Sequence, residues 1–334
     1  MRVGKRSGTE ALAGGAAAGR KDGSMISCTE FIPAYSELFS FLDERYGFAE
    51  VERFWADVFD PGRNGILNRK VEAAGLRGCY EYWSYSLNEE AADFVLMLNE
   101  ADGWFHIEMR LCPSKSRLLS LEHMRPYERY CLHCDLYRKT IEAHGLCYDY
   151  DFTKCDRAQC NMLIYDPRKY NGRRVITPET LVMERRAQDN KYLHREFHNY
   201  MNMGVEYLGN RFGEDAVCAY LSHFARNYYA PLIERVRAQG FSALCWHIKQ
   251  TYRLEEAEEV VRIDQEPHAL RVRVDACPAV SYLKKAGWTP SRWFGETTRT
   301  VMQTIAQEAG LAFEMERYDR ESGAAAYRFT LNEG

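Results

Sequence analysis

What most constrains this chain is that it is written twice. Laid against itself at an offset of 165 to 166 residues, EFIPAYSELFSFLDERYG, ending at Gly47, pairs with EFHNYMNMGVEYLGNRFG, ending at Gly213, with Leu42/Leu208, Arg45/Arg211 and Val51/Val217 in step. The register continues through Gly75/Gly240, Cys112-Pro113/Cys277-Pro278, Ser116/Ser281, Leu118/Leu283 and Gly145-Leu146/Gly310-Leu311. Residues that start, stop and bury elements at equal spacing imply equal elements, so two similar folded units are expected. The boundaries follow: a disordered tail over 1–24, a first repeat over 25–165, a polar, turn-rich linker over 166–190, and a second repeat over 191–334. The tail carries Gly, Ala and charge but no apolar periodicity, and such a stretch cannot offset the entropy of ordering itself.

Each repeat reads as the same α+β unit, with N-terminal helices, an antiparallel sheet, and a C-terminal helix and hairpin. Phe31, Tyr35, Leu38, Leu42 and Tyr46 recur at helical spacing, and Val51, Phe54, Trp55 and Val58 predict a second helix after the Gly47 stop. Alternation in Phe94-Leu96-Leu98 and Phe105-Ile107-Met109-Leu111 around Ala101-Asp102-Gly103 predicts a hairpin. Tyr130, Cys134, Tyr137 and Ile141 predict a helix over 127–144, and two further strands follow. The second repeat offers Leu270-Val272-Val274, a helix from Thr297 to Gly310, Phe313-Met315 and Tyr327-Phe329. Tyr200, Tyr207, Tyr220, Phe224, Tyr228 and Tyr229 read as core and groove residues.

The chemistry is unequal between the halves. Eight of the eleven cysteines precede residue 165, in a chain without the basic start and apolar core of a secretory signal, so a reduced, cytoplasmic setting is expected, where clustered cysteines bind metal or react. Cys131-x2-Cys134 and Cys155-x4-Cys160 give two close pairs about 20 residues apart. Four thiolates round one ion need two tight turns facing each other, so zinc is the expected cofactor, with His133 as an alternative ligand. The competing reading is packing of small apolar thiols. All four positions are lost together in the second repeat, whereas Cys112 survives as Cys277.

Cys112 follows a strand and precedes a proline, which places its thiol where the chain leaves the sheet. It is a candidate nucleophile if a cation lowers its pKa, and otherwise a buried thiol. Arg110 on the same strand face and Tyr130 on the following helix are candidate ligand-binding residues. Asp135 is a candidate general base or a helix-start carboxylate. His194 and His198, at i and i+4, have the spacing of a shared metal or ligand site, although the sequence is not HExxH.

These residues carry a resemblance. Arg110-Leu111-Cys112, Cys131-Leu132-His133-Cys134-Asp135 and Cys160-Asn161-Met162-Leu163 in the first repeat, with RVDACPAVSYLKKAGWTPSRWF and YDRESGAAAYRF in the second, resemble the L-2-amino-thiazoline-4-carboxylate hydrolase family. That family pairs an Arg-Cys strand end with a Leu-Cys-x-x-Asp helix start and a closing Cys-Asp-Phe-Arg strand. More distantly the pattern is similar to the vinyl-reductase-type and Golgi-transport-type ligand-binding fold. The second repeat departs from it: Ala325-Ala326 stand in place of the closing Cys, and Gly295, Glu296 or Thr297 in place of the helix-start Cys.

The resemblance implies a small-molecule hydrolase opening a cyclic amidine or related C–N or C–S ring, with Cys112, Asp135 and His133 in catalytic roles. The alternative is a tandem ligand-binding or sensing protein with structural zinc. A small molecule is the expected partner, with homodimerisation as an additional possibility. With 44 Lys+Arg against 48 Asp+Glu and a net charge of −4, a nucleic-acid partner is not expected. A membrane partner is not expected either, since no stretch approaches about 18 apolar residues.

Overall fold

The apolar face that begins at Phe31 forms α1 (Phe31–Tyr46), which stops at Gly47, whose positive φ of 86° suits glycine and whose N–H bonds the Asp43 carbonyl. In the computed structural model of the chain, which describes residues 26–58, 60, 65–86, 93–173, 178–184 and 195–332, eleven α-helices and two antiparallel sheets follow one another in an α+β architecture. The tail over 1–24 lies outside the described residues.

After α1 come α2 (Phe48–Val58) and α3 (Gly65–Ser86). Sequence periodicity did not announce α3, because it is bent in the middle at Gly75, where φ 54° and ψ −125° break the helical repeat. The predicted hairpin is β1 (Asp93–Asn99) and β2 (Trp104–Leu111), turned at Gly103. Cys112 then caps α4 (Pro113–Leu119), its Sγ accepting the Lys115 backbone N–H at 3.4 Å. The single helix expected over 127–144 is two pieces, a 3₁₀ segment Tyr130–Leu136 and α5 (Tyr137–Ala143). Its carbonyls explain the break: Tyr148 and Tyr150 donate their hydroxyls to the Cys134 and Cys131 oxygens, which an α-helix would have used internally. The donors come from β3 (Cys147–Asp151), which pairs with β4 (Cys160–Tyr165).

The stretch read as a linker is not all linker. Glu179–Glu184 forms β5, added antiparallel to β1 with Leu96 opposite Leu181. The β-prone run Thr180-Leu181-Val182 after Pro178 supplies an edge strand that the surrounding polar residues hide from a reading of composition.

The second half runs α6 (Phe197–Phe212), α7 (Glu214–Tyr228), α8 (Ala230–Gln239), α9 (Phe241–Leu254), β6 (Val261–Gln265), β7 (Ala269–Val274), α10 (Pro278–Lys285), α11 (Glu296–Glu308), β8 (Leu311–Tyr318) and β9 (Ala325–Leu331). Gly213 ends α6 at φ 89°, and Gly240, at φ 61° and ψ −142°, separates α8 from α9. The first sheet is ordered β3-β4-β2-β1-β5, and the second, in the corresponding direction, β8-β9-β7-β6. The Cys112 N–H bonds the Ala158 carbonyl at 2.6 Å, and the Cys277 N–H bonds that of Ser322 at 2.9 Å.

Helices α1 and α6 lie side by side. Phe31 stacks on Phe197 with ring centres 4.7 Å apart, and Tyr46 on Phe212 at 3.7 Å. Between them Gly204 sits against Leu38. In all three pairs the partners are 166 positions apart. Around this seam α1, α2 and the helices of the second half share one core with the second sheet, while α3 and the first sheet enclose another.

Candidate functional site

The two cysteine pairs and Cys112 meet at one cavity. The β2–α4 junction supplies Cys112 and Lys115, the 3₁₀ segment Tyr130, Cys131, His133 and Cys134, the turn before β4 Cys155, and the start of β4 Cys160. The cavity measures about 130 Å³, and α1, α3 and α6 close it with aromatic rings, among them Tyr35, Trp83 and Tyr200. The second half thus contributes a wall to a cavity whose thiols all belong to the first.

Three of the cavity thiols are held in their neutral form. Burial first, then the nearby Cys112 and Cys155, push Cys131 up to about 12, although the Lys115 ammonium pulls the other way. Burial and the neighbouring Cys131, Cys112 and Cys160 lift Cys134 far above the usual thiol range, and Cys160 is raised in the same manner. The Tyr150 hydroxyl is within hydrogen-bond reach of both Cys134 and Cys160 and partly opposes this rise. Burial draws His133 down to about 4, so its ring is neutral at pH 7. Its Nδ1 lies against the Tyr130 carbonyl, which can only accept, so Nδ1 carries the proton and Nε2 turns its lone pair toward the Cys134 Sγ at 3.6 Å.

Other expected residues are placed elsewhere. Asp135 is half-exposed, bonded to Arg138 through Oδ1 at 2.8 Å, and does not line the cavity. Arg110 is exposed and paired with Glu108 at 3.0 Å; it too is absent from the lining. His194 lies outside the described residues. Cys277 is buried at the N-cap of α10, where burial raises its thiol to about 11.

His198 is buried, and its Nε2 faces Glu255 Oε2 at 3.1 Å. Cys28 completes that group, donating its N–H to Glu255 Oε1 at 2.7 Å. Among the described residues, Cys28, His198 and Glu255 are the one set of three such side chains whose donor atoms lie within 4.8 Å of one another, a group that could hold a metal ion. Sequence reasoning missed Glu255 because it is 57 residues from His198 and 227 from Cys28. It missed Lys115 and Glu196, both at the cavity, because a lone charged residue carries no spacing signal.

No helix among the described residues is long and apolar enough to cross a membrane. No family model matches the chain, nor does any curated protein or solved structure.

Proposed function

We propose that the chain is a tandem duplication whose first half binds a small, largely apolar, single-ring molecule in the cysteine-lined cavity. The observation that carries the binding reading is convergence: five thiols, a neutral imidazole and a set of aromatic rings line one partly open cavity of about 130 Å³. An apolar cavity of about 150 Å³ takes a benzene-sized molecule. Neutral thiols suit contact with a ring or a soft metal of the zinc type, which would displace their protons. They are weak nucleophiles. All eleven cysteines are free, as a reducing, cytoplasmic setting would keep them. The duplication is supported by the common strand order, the paired glycine breaks and the Phe31–Phe197 and Tyr46–Phe212 contacts.

One observation favours hydrolysis as a second reading. Cys112 lies at the first turn of α4 with its sulfur toward the Lys115 N–H, and the Lys115 side chain reaches the same cavity. On that reading the Cys112 thiol adds to the ring carbon of a cyclic amidine, the C–N or C–S bond to that carbon breaks as the leaving atom takes the thiol proton, and water then adds to the carbon and displaces the sulfur, which regains a proton, so that a thiocarbamate or a urea leaves and the thiol is restored. Asp135, tied to Arg138 outside the cavity, would not be the base.

Fluorine NMR with fluorobenzene tests the binding reading. Saturable binding is expected in the wild type and its loss in Cys134→Phe, which fills the space; equal binding by a folded Cys134→Phe, or none by the wild type, would refute it. Turnover of an aminothiazoline carboxylate that disappears in Cys112→Ser would establish hydrolysis instead.

A further inference from the structure

We propose that Cys28, His198 and Glu255 form a second site, apart from the cavity lining, that binds one divalent transition-metal ion of the zinc type. The three come from different parts of the fold. Cys28 precedes α1, His198 lies in the first turn of α6, and Glu255 caps the C-terminus of α9. All three are buried.

The spacing fits an ion. Two N or O ligands each about 2.1 Å from a tetrahedral metal stand about 3.4 Å apart, and His198 Nε2 and Glu255 Oε2 are 3.1 Å apart. The thiol joins them with all donor atoms within 4.8 Å, so an ion can be seated with small side-chain movements. An imidazole, a thiolate and a carboxylate suit borderline metals such as zinc or cobalt.

The charges also balance. A divalent ion with one thiolate, one carboxylate and a neutral imidazole has no net charge, which a buried site requires. Loading takes the proton from the Cys28 thiol, so binding weakens in acid. The carboxylate is already oriented, because Glu255 Oε1 accepts the Cys28 N–H while Oε2 stays turned to His198. The Arg195 guanidinium fixes the same corner through the Glu255 carbonyl at 3.2 Å. Three protein ligands leave a tetrahedral ion one position for water.

The test uses the full chain carrying Cys112→Ser, Cys131→Ser, Cys134→Ser, Cys155→Ser and Cys160→Ser, which removes every cavity thiol as a competing ligand. After chelation and re-loading with zinc, one ion per chain is expected, with an X-ray absorption first shell of one sulfur and otherwise N or O. Cobalt should show a thiolate-to-metal absorption band. Adding Cys28→Ser or His198→Gln should abolish stoichiometric binding. Absence of zinc, a shell with no sulfur or more than one, or an unchanged stoichiometry in folded Cys28→Ser and His198→Gln proteins would overturn the site. The first-shell measurement decides the matter even where those last two variants do not fold.

Discussion

Two glycines of α6 allow the same substitution to be made with opposite consequences. Gly204 and Gly209 are both buried in that helix, so replacing either by alanine gains about 0.8–1 kcal/mol of helix propensity. They differ in what the new methyl group meets. At position 204 it comes 2.9 Å from Leu38 Cδ2, the far end of a flexible side chain that a small rotation can move. At position 209 it falls 2.3, 2.4 and 2.5 Å from three atoms of the Trp293 indole, whereas carbons prefer about 3.5–4.0 Å. The indole cannot yield easily: it is buried, and the Arg292 guanidinium lies 4.0 Å above its centre. Overpacking of this kind costs about 1–3 kcal/mol or more. With three ring atoms struck at once the cost lies at the upper end of that range, about 2–3 kcal/mol, so after the propensity gain of about 1 kcal/mol Gly209→Ala should be less stable than the wild type by about 1–2 kcal/mol, and Gly204→Ala should lie within about 0.5 kcal/mol of it. Urea unfolding followed by tryptophan emission measures both midpoints, and an unchanged slope m confirms that the compactness of the states is unaltered. Equal stabilities of the two variants, or a Gly209→Ala protein more stable than the wild type, would refute the reasoning.

Gly75→Ala and Gly240→Ala should each destabilise the chain by about 1–3 kcal/mol, since both glycines have positive φ with strongly negative ψ, where a side chain is strained; denaturation of the pair checks whether the two breaks have the same structural role, and clearly unequal losses would count against the duplication. Glu37 is buried beside His223 and Asn227, with Glu44 nearby, and burial outweighs the two favourable partners to hold its carboxyl above the usual 4.5. Because the folded value is the higher one, the group's contribution to stability diminishes as pH rises above about 4.5. Glu37→Gln should therefore gain stability relative to the wild type at pH 7 and lose that advantage at pH 4, and an identical difference at both pH values in thermal unfolding would dismiss the idea.

The legible parts of the fold were those with a local cause. Phe31 through Leu42 and the Gly47 stop determine α1 within one stretch of chain, and Cys112-Pro113 marks a strand-to-helix junction because proline is favoured at the first helical position. The α3 bend, the 3₁₀ segment and β5 were not legible: Gly75 interrupts the helical repeat of α3, Tyr148 and Tyr150 take the Cys134 and Cys131 carbonyls, and β1 supplies the ladder for β5. The candidate site divides in the same way. The cysteine pairs announced themselves by spacing, and they do meet at one cavity. Asp135 was suggested by its match to the helix-start acid of the Leu-Cys-x-x-Asp pattern, but its side chain turns to Arg138. Cys28 and Glu255 meet across 227 residues, and periodicity says nothing about such a contact.

The seam between α1 and α6 has a consequence for how such a chain could diverge. On the duplication reading, Phe31 touches its own counterpart in Phe197 and Tyr46 its own in Phe212; such positions would lie beside a twofold axis, and the same surface in a single-copy ancestor would be a self-complementary dimer interface. Joining two copies in one polypeptide turns that encounter into an intramolecular one at an effective concentration on the order of millimolar. Association then no longer depends on both partners remaining alike. On that reading a second copy is free to surrender its cysteines while residues such as Phe197 and Tyr200 still wall the cavity, and specialisation of one half would be a product of covalent linkage.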